Sequence, residues 1–217
     1  MRKSFLLVPA VLVLAALACD FAIGGGGGSR AAQSGDVLYQ DDFSSNGSGW
    51  DQSTTDTGES NYQDGGYHIF VGPEYSSVWA NPGRSFTDVR VEVDAHKLSG
   101  VDDNEYGVLC RYQDTKNFVG ASISSDGFYG FFKLSSGDFS YVGADAMQKS
   151  DAIHQGSDTN HIRLDCVGPS LTLYVNGTMV GSTTYDEFSS GDVGLYAGTF
   201  ATANVDVFFD NFAAYQP

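Results

Sequence analysis

The sequence predicts an all-β fold, a two-sheet antiparallel jelly-roll sandwich, behind an export signal and a glycine-rich spacer. Three observations carry this. From residue 37 onward, short apolar runs recur and several alternate with period two, as strands with one buried face do. Dipeptides that tolerate positive φ, Asp126-Gly127 and Asn176-Gly177, sit between such runs and close hairpins. The 217 residues include 15 Phe, 12 Tyr and 27 Gly with few long helix-forming side chains, which excludes a helical bundle.

Arg2 and Lys3 precede an apolar run from Phe5 to Ala18, interrupted only by Pro9. A basic n-region followed by an h-region of this length reads as an export signal, too short to cross a bilayer as a mature helix. The run ends Ala16-Leu17-Ala18-Cys19, which resembles the lipobox of bacterial lipoproteins, with Ala16 where Leu is commoner. The resemblance implies a signal peptide over 1–18 and acylation of Cys19. It also implies a protein held outside the bacterial cell membrane, touching it through lipid only. Residues 19–36 contain Gly24 to Gly28 and read as a flexible tether. The domain then occupies 37–217.

Within it the expected strands are Val37–Phe43, Gly66–Phe70, Ser76–Trp79 and Phe86–Leu98. In the last of these Val89, Val91, Val93 and Ala95 alternate with Arg90, Glu92, Asp94 and His96. Tyr106–Gln113, Asn117–Ser124, Phe128–Leu134 and His161–Val167 follow, then Ser170–Val175, Thr178–Thr183, Val193–Ala197 and Val205–Tyr215. Asp145–Gln155 alone has room for a helical turn. A dozen short strands with tight turns imply two packed sheets.

Eleven basic residues face 27 acidic ones, a formal charge of −16. Loss of Arg2 and Lys3 takes it to −18. A nucleic-acid partner is excluded, because phosphate contacts need clustered Lys and Arg. With Cys19 acylated, Cys110 and Cys166 remain, each on the apolar face of its strand. They read as a disulfide in an oxidising compartment or as two buried thiols.

The segment Gly107-Val-Leu-Cys-Arg-Tyr-Gln-Asp, then Asn117-Phe118 and Ser125-Asp-Gly-Phe-Tyr129, resembles the concanavalin A-like jelly rolls of bacterial lipoproteins. So do His161-Ile-Arg-Leu-Asp-Cys166, Leu171-Thr-Leu-Tyr-Val-Asn-Gly177, Gly191-Asp-Val-Gly-Leu195, Val207-Phe-Phe-Asp-Asn-Phe212 and the opening Asp41-Asp42-Phe43 with Trp50. That group holds laminin G-like modules, lectins, laminarinase-type hydrolases and the domain named for 3-keto-disaccharide hydrolases. The resemblance implies the fold and leaves binding, catalysis and scaffolding open.

Laminarinase-type hydrolases carry Glu-x-Asp-x-(x)-Glu on one strand. Here Glu92-Val93-Asp94 is followed by His96 and Lys97, and the second Glu is missing. A retaining mechanism needs both carboxyl groups, so catalysis by that route fails. No catalytic residue is assigned. Recognition of a polysaccharide or cell-envelope glycan fits better, since sugars are held by aromatic faces and planar polar groups. Arg90, Glu92, Asp94, Arg111, Gln113, Tyr129, Phe131 and Lys133 supply those types at alternating positions and form a groove if they share a sheet face. The alternative places Tyr129 and Phe131 in the core, and Trp50 and Trp79 divide between core and platform. A structural calcium ion is a further expectation, held between the first and last strands by Asp41, Asp42 and Asp210 with Asn211, or by Asp102-Asp103-Asn104-Glu105.

Overall fold

The computed structural model describes residues 33–217; the expected signal peptide, Cys19 and Gly24 to Gly28 lie outside the described residues. Among the described residues there are seventeen strands and no helix: β1 (Val37–Asp41), β2 (Ser53–Thr54), β3 (Gly58–Gln63), β4 (Gly66–Val71), β5 (Ser77–Ala80), β6 (Ser85–Phe86), β7 (Val89–Ser99), β8 (Asn104–Asp114), β9 (Asn117–Ile123), β10 (Phe128–Ser135), β11 (Asp138–Tyr141), β12 (Gln148–Lys149), β13 (Asn160–Val167), β14 (Ser170–Val175), β15 (Thr178–Thr184), β16 (Gly191–Thr199) and β17 (Val205–Tyr215). Sheet A runs β15-β14-β13-β7-β17-β4-β3-β2, with β1 paired to β17. Sheet B runs β11-β10-β9-β8-β16-β5, with β12 on β10 and β6 on β16. Every ladder is antiparallel.

The inner faces supply the main core. From sheet A come Val89, Val91, Val93 and Ala95 of β7, Ile162 and Leu164 of β13, and Val207 and Phe209 of β17. Tyr106, Val108, Val119, Ala121, Ile123, Leu195 and Ala197 of sheet B meet them. Burial of each Val, Leu, Ile or Phe contributes about 1.5–3 kcal/mol. This is what holds two sheets face to face.

Strand β17 changes its inward parity once. Phe209 points in, and so does Phe212, three residues on. The ladder with β7 shifts between Asp210 and Ala213, and Asn211 sits there at φ 54°. That one-residue bulge lets the last four residues of β17 reach a second layer of core. Trp50 packs there, 4.8 Å from Phe212 and 5.3 Å from Phe43, which settles it as a core residue.

Cys110 of β8 and Cys166 of β13 form a disulfide that joins sheet B to sheet A through the core. Two expectations are corrected. The segment 145–155 contains no helical turn; it is bends and turns around β12, which pairs with β10. Strand β3 was not expected, because Gly58-Glu-Ser-Asn-Tyr-Gln63 carries one large apolar side chain and gains strand form by pairing with β4.

The disulfide closes a sequence separation of 56 residues. Replacing both cysteines by Ala is expected to lower stability by about 4 kcal/mol, from chain entropy restored to the unfolded state. Urea unfolding, midpoint and slope together, measures it.

Candidate functional site on the outer face of sheet B

Residues opposite one another across a ladder share a face. On the outer side of sheet B one such row is Trp79, Tyr196, Gly107, Ser122 and Gly130. The next is Leu109, Gly120, Phe132 and Tyr141, and beyond it lie Phe118, Leu134 and Phe139. Small residues alternate with rings. A methyl group on Gly120 would stand 3.0 Å from Phe132, and one on Gly130 would stand 3.0 Å from Tyr141. Glycine is what lets those rings lie across the sheet.

Leu109, Phe118, Phe132 and Tyr196 are thereby buried on a face that looks away from the main core. Trp79, Tyr112, Leu134 and Tyr141 pack over them and stay partly exposed. Ring centroids are 4.4 Å apart for Phe132 and Tyr196, 5.0 Å for Trp79 and Phe118, and 5.8 Å for Phe132 and Phe139. Sheet B thus carries aromatic packing on both faces.

A cleft of about 430 Å³ opens over this layer. Glu105 and Tyr196 line it together with Leu134, Phe139 and Tyr141 on one side and Tyr75, Ser76, Ser77, Thr199 and Phe200 on the other. A neighbouring recess of about 340 Å³ shares Tyr141 and Phe200 and adds Asp103, Asp126, Phe128 and Met147. Volumes in this range suit a small organic ligand or part of a chain.

Glu105 is the chemical centre of the cleft. It is 4% exposed. The Tyr196 hydroxyl donates to Oε1 at 2.7 Å, and the Ser122 hydroxyl donates to Oε2 at 3.1 Å. Burial pushes the carboxyl pKa up to about 7, against the pull of those two donors, which favour the charged form. The Tyr196 phenol is raised well above its ordinary value by burial and by the nearby carboxyl. At the rim Tyr75 is 75% exposed and holds φ at 48°, a left-handed conformation costly for an aromatic residue. Its N–H donates to the Phe200 carbonyl at 2.9 Å, tying the segment before β5 to the segment after β16.

The residues expected to form one groove fall in three places, and none lines this cleft. Arg90, Glu92 and Asp94 lie on the outer face of sheet A. There they form a charged ladder with β13: Arg90 to Asp165 at 3.3 Å, Arg163 to Asp165 at 2.5 Å, and His161 to Asp94 at 2.7 Å and to Glu92 at 3.5 Å. Tyr129 and Phe131 point between the sheets into the main core, as the alternative reading had it. Arg111 is buried at a bulge with φ 62°, donating to the carbonyls of Phe188 at 3.0 Å and Gly168 at 2.5 Å. Gln113 donates to the Ser190 carbonyl, and Lys133 pairs with Glu187 at 2.7 Å. These last three tie loops to strand ends.

Of the expected calcium ligands, Asp41, Asp42 and Asn211 line one recess beside Phe212, and Asp210 is not in its lining. Asp41 accepts from Ser48 and from the Phe43 N–H, and Asp42 accepts from Ser44. Asp210 lies across the ladder from Asp94, and Asn211 donates to Asp94 at 3.0 Å. In the acidic loop Lys97 pairs with Asp102, Asn104 is buried against Ser125, and Glu105 turns into the cleft. Among the described residues no three His, Cys, Asp or Glu side chains are grouped to hold a metal ion.

Tyr196 and Tyr141 escaped sequence reasoning as site residues, and Glu105 entered it only as a candidate calcium ligand. One signal was present. The run Phe128–Leu134 has large apolar residues at both parities, which marks a strand covered on both faces.

Solved structures share the architecture. A carbohydrate-binding module CBM66 from Bacillus subtilis superposes with TM-score 0.63 at 19% identity, over 78% of this chain and 96% of that one. A Bacillus subtilis protein of unknown function with a galectin-like fold gives 0.60 at 13%, over 85% and 97%. A Bacillus licheniformis β-glucanase gives 0.59 at 12%, over 85% and 100%. The fold is a concanavalin A-like jelly roll. No protein-family model and no curated protein matches the sequence. The jelly roll therefore rests on structure, and its outer aromatic face on the residues themselves.

Glu105 gains a proton on folding between its ordinary value of 4.5 and about 7. Its contribution to stability is full below pH 4.5 and falls as pH rises to about 7, by roughly 3 kcal/mol. Glu105→Gln is expected to remove that decline. Unfolding midpoints at pH 5 and pH 8 for both proteins, subtracted, check it.

Proposed function

We propose that this jelly roll is a glycan-binding module of the cell exterior, non-catalytic, with its site in the Glu105 cleft. The observation that carries the reading is the aromatic layer of sheet B with one buried carboxyl beneath it. Sugar rings present C–H faces that pack on aromatic side chains, and hydroxyls that bond to a fixed carboxyl. Tyr141, Phe139 and Tyr75 supply the faces, and Glu105 with Tyr196 supplies the polar group. Neighbours named as a carbohydrate-binding module and a β-glucanase support a glycan as the ligand.

A second reading, sugar processing, has one observation in its favour. A carboxyl whose pKa lies near 7 in a cleft suits a general acid. Glycoside hydrolysis needs a second carboxylate across the scissile bond, and Asp103 and Asp126 of the adjoining recess are the groups available.

Export and acylation at Cys19 belong to the same proposal. The basic n-region, the apolar run and the Cys that ends it support them, and the Cys110–Cys166 disulfide suits an oxidising compartment. Cys19→Ser is expected to move the protein from the membrane fraction to the soluble one.

Residues 33–217 titrated against a glycan panel are expected to bind without releasing product. Tyr141→Ala should weaken that binding at least tenfold, while Glu92→Gln with Asp94→Asn leaves it within twofold. Release of new reducing ends would favour the second reading, and silence across the panel would remove the first.

A further inference from the structure

The cleft walls have a one-sided chemistry. Rings come from Tyr75, Phe139, Tyr141, Tyr196 and Phe200, and the charge-bearing group is Glu105. Neither the cleft nor the adjoining recess has a Lys, Arg or His in its lining, and the recess adds two more carboxylates, Asp103 and Asp126. Glu105 is held by two neutral hydroxyl donors; the ionisable groups that face it are Tyr196 from β16 and Tyr141 from β11. A buried carboxylate without a counter-charge is costly, and either a proton or a cation relieves it. Burial raises its pKa to about 7, so near pH 6 a proton occupies the carboxyl.

Ring faces around a carboxylate also describe a site for an organic ammonium ion. The negative face of each ring attracts the cation, and the carboxylate neutralises it. The sequence adds a long-range term: a formal charge of −16 draws polycations and repels polyanions.

Resting on the glycan-binding reading above, we propose that the cleft selects a hexosamine unit carrying a free ammonium group, with Glu105 as its counter-ion and Tyr141 and Phe139 as the enclosing faces. Uronates, sulfated sugars and sialylated chains are excluded by the same carboxylates. Binding of the cation displaces the proton from Glu105, so association near pH 6 releases protons to the buffer.

The test is calorimetric titration of the protein with a β-1,4-linked glucosamine tetramer and with its fully N-acetylated counterpart at pH 6. Two buffers of different ionisation enthalpy count the protons released. The expected result is at least tenfold tighter binding of the glucosamine tetramer, with proton release. Glu105→Gln should reduce the preference to less than threefold and abolish the proton release. Tyr75→Gly is a second variant that does not burden the core, because Tyr75 is exposed and its φ already suits glycine. It should weaken binding of the glucosamine tetramer severalfold with the unfolding midpoint held or raised. Equal affinity for the two tetramers overturns this proposal and leaves the glycan reading standing. A preference that survives in Glu105→Gln also overturns it, since diffuse surface charge then explains the attraction. Failure of both tetramers overturns it as well, and the wider glycan panel then decides the underlying reading.

Discussion

The constraint on which the rest depends is the burial of two sheet faces against each other. Side chains on a strand alternate, so committing Val89, Val91, Val93 and Ala95 to the core commits Arg90, Glu92, Asp94 and His96 to the opposite face of sheet A. In sheet B the commitment of Tyr106, Val108 and Cys110 sends Glu105 and Leu109 outward, and that of Tyr129 and Phe131 sends Phe132 outward. The Cys110–Cys166 disulfide locks the two commitments together. A slip of one residue in either sheet would exchange core and surface.

The two outer faces differ in kind. That of sheet A is an ion ladder of half-buried pairs, in which each carboxylate of β7 and β13 already has a cationic or histidine partner. Solvent-accessible pairs of this sort contribute little to stability. Sheet B's outer face is a second layer of aromatic packing with a recess in it. Glu105 at the bottom has two hydroxyl donors, and its burial raises its proton affinity against their pull. Sheet A's outer face also holds a polar recess, lined by Asn61, His68, Phe70 and Asp206 across β3, β4 and β17.

Much of the fold was legible in the chain. The period-two run of β7, the Asp126-Gly127 and Asn176-Gly177 hairpins and the even pair of cysteines after Cys19 each follow from local physics. Strand β3 was not, because its backbone is satisfied by a neighbour and its side chains hardly signal burial. The groove residues were misplaced for a related reason. Tyr129, Phe131 and Phe132 are indistinguishable by type, and hydropathy cannot tell an inner from an outer face when both are covered. Arg111 was misread because a bulge turned it inward, where two carbonyls receive its guanidinium.

Sequence alone determined that this is an all-β domain with alternating strands, since composition and periodicity are local properties. Only the tertiary structure decided which carboxylate is buried in a cleft. Glu92 and Asp94 sit beside Arg163 and His161 because β13 lies against β7, whereas Glu105 sits beneath Tyr196 because β16 lies against β8. Those neighbours come from strands more than fifty residues away, and no window of the chain contains them.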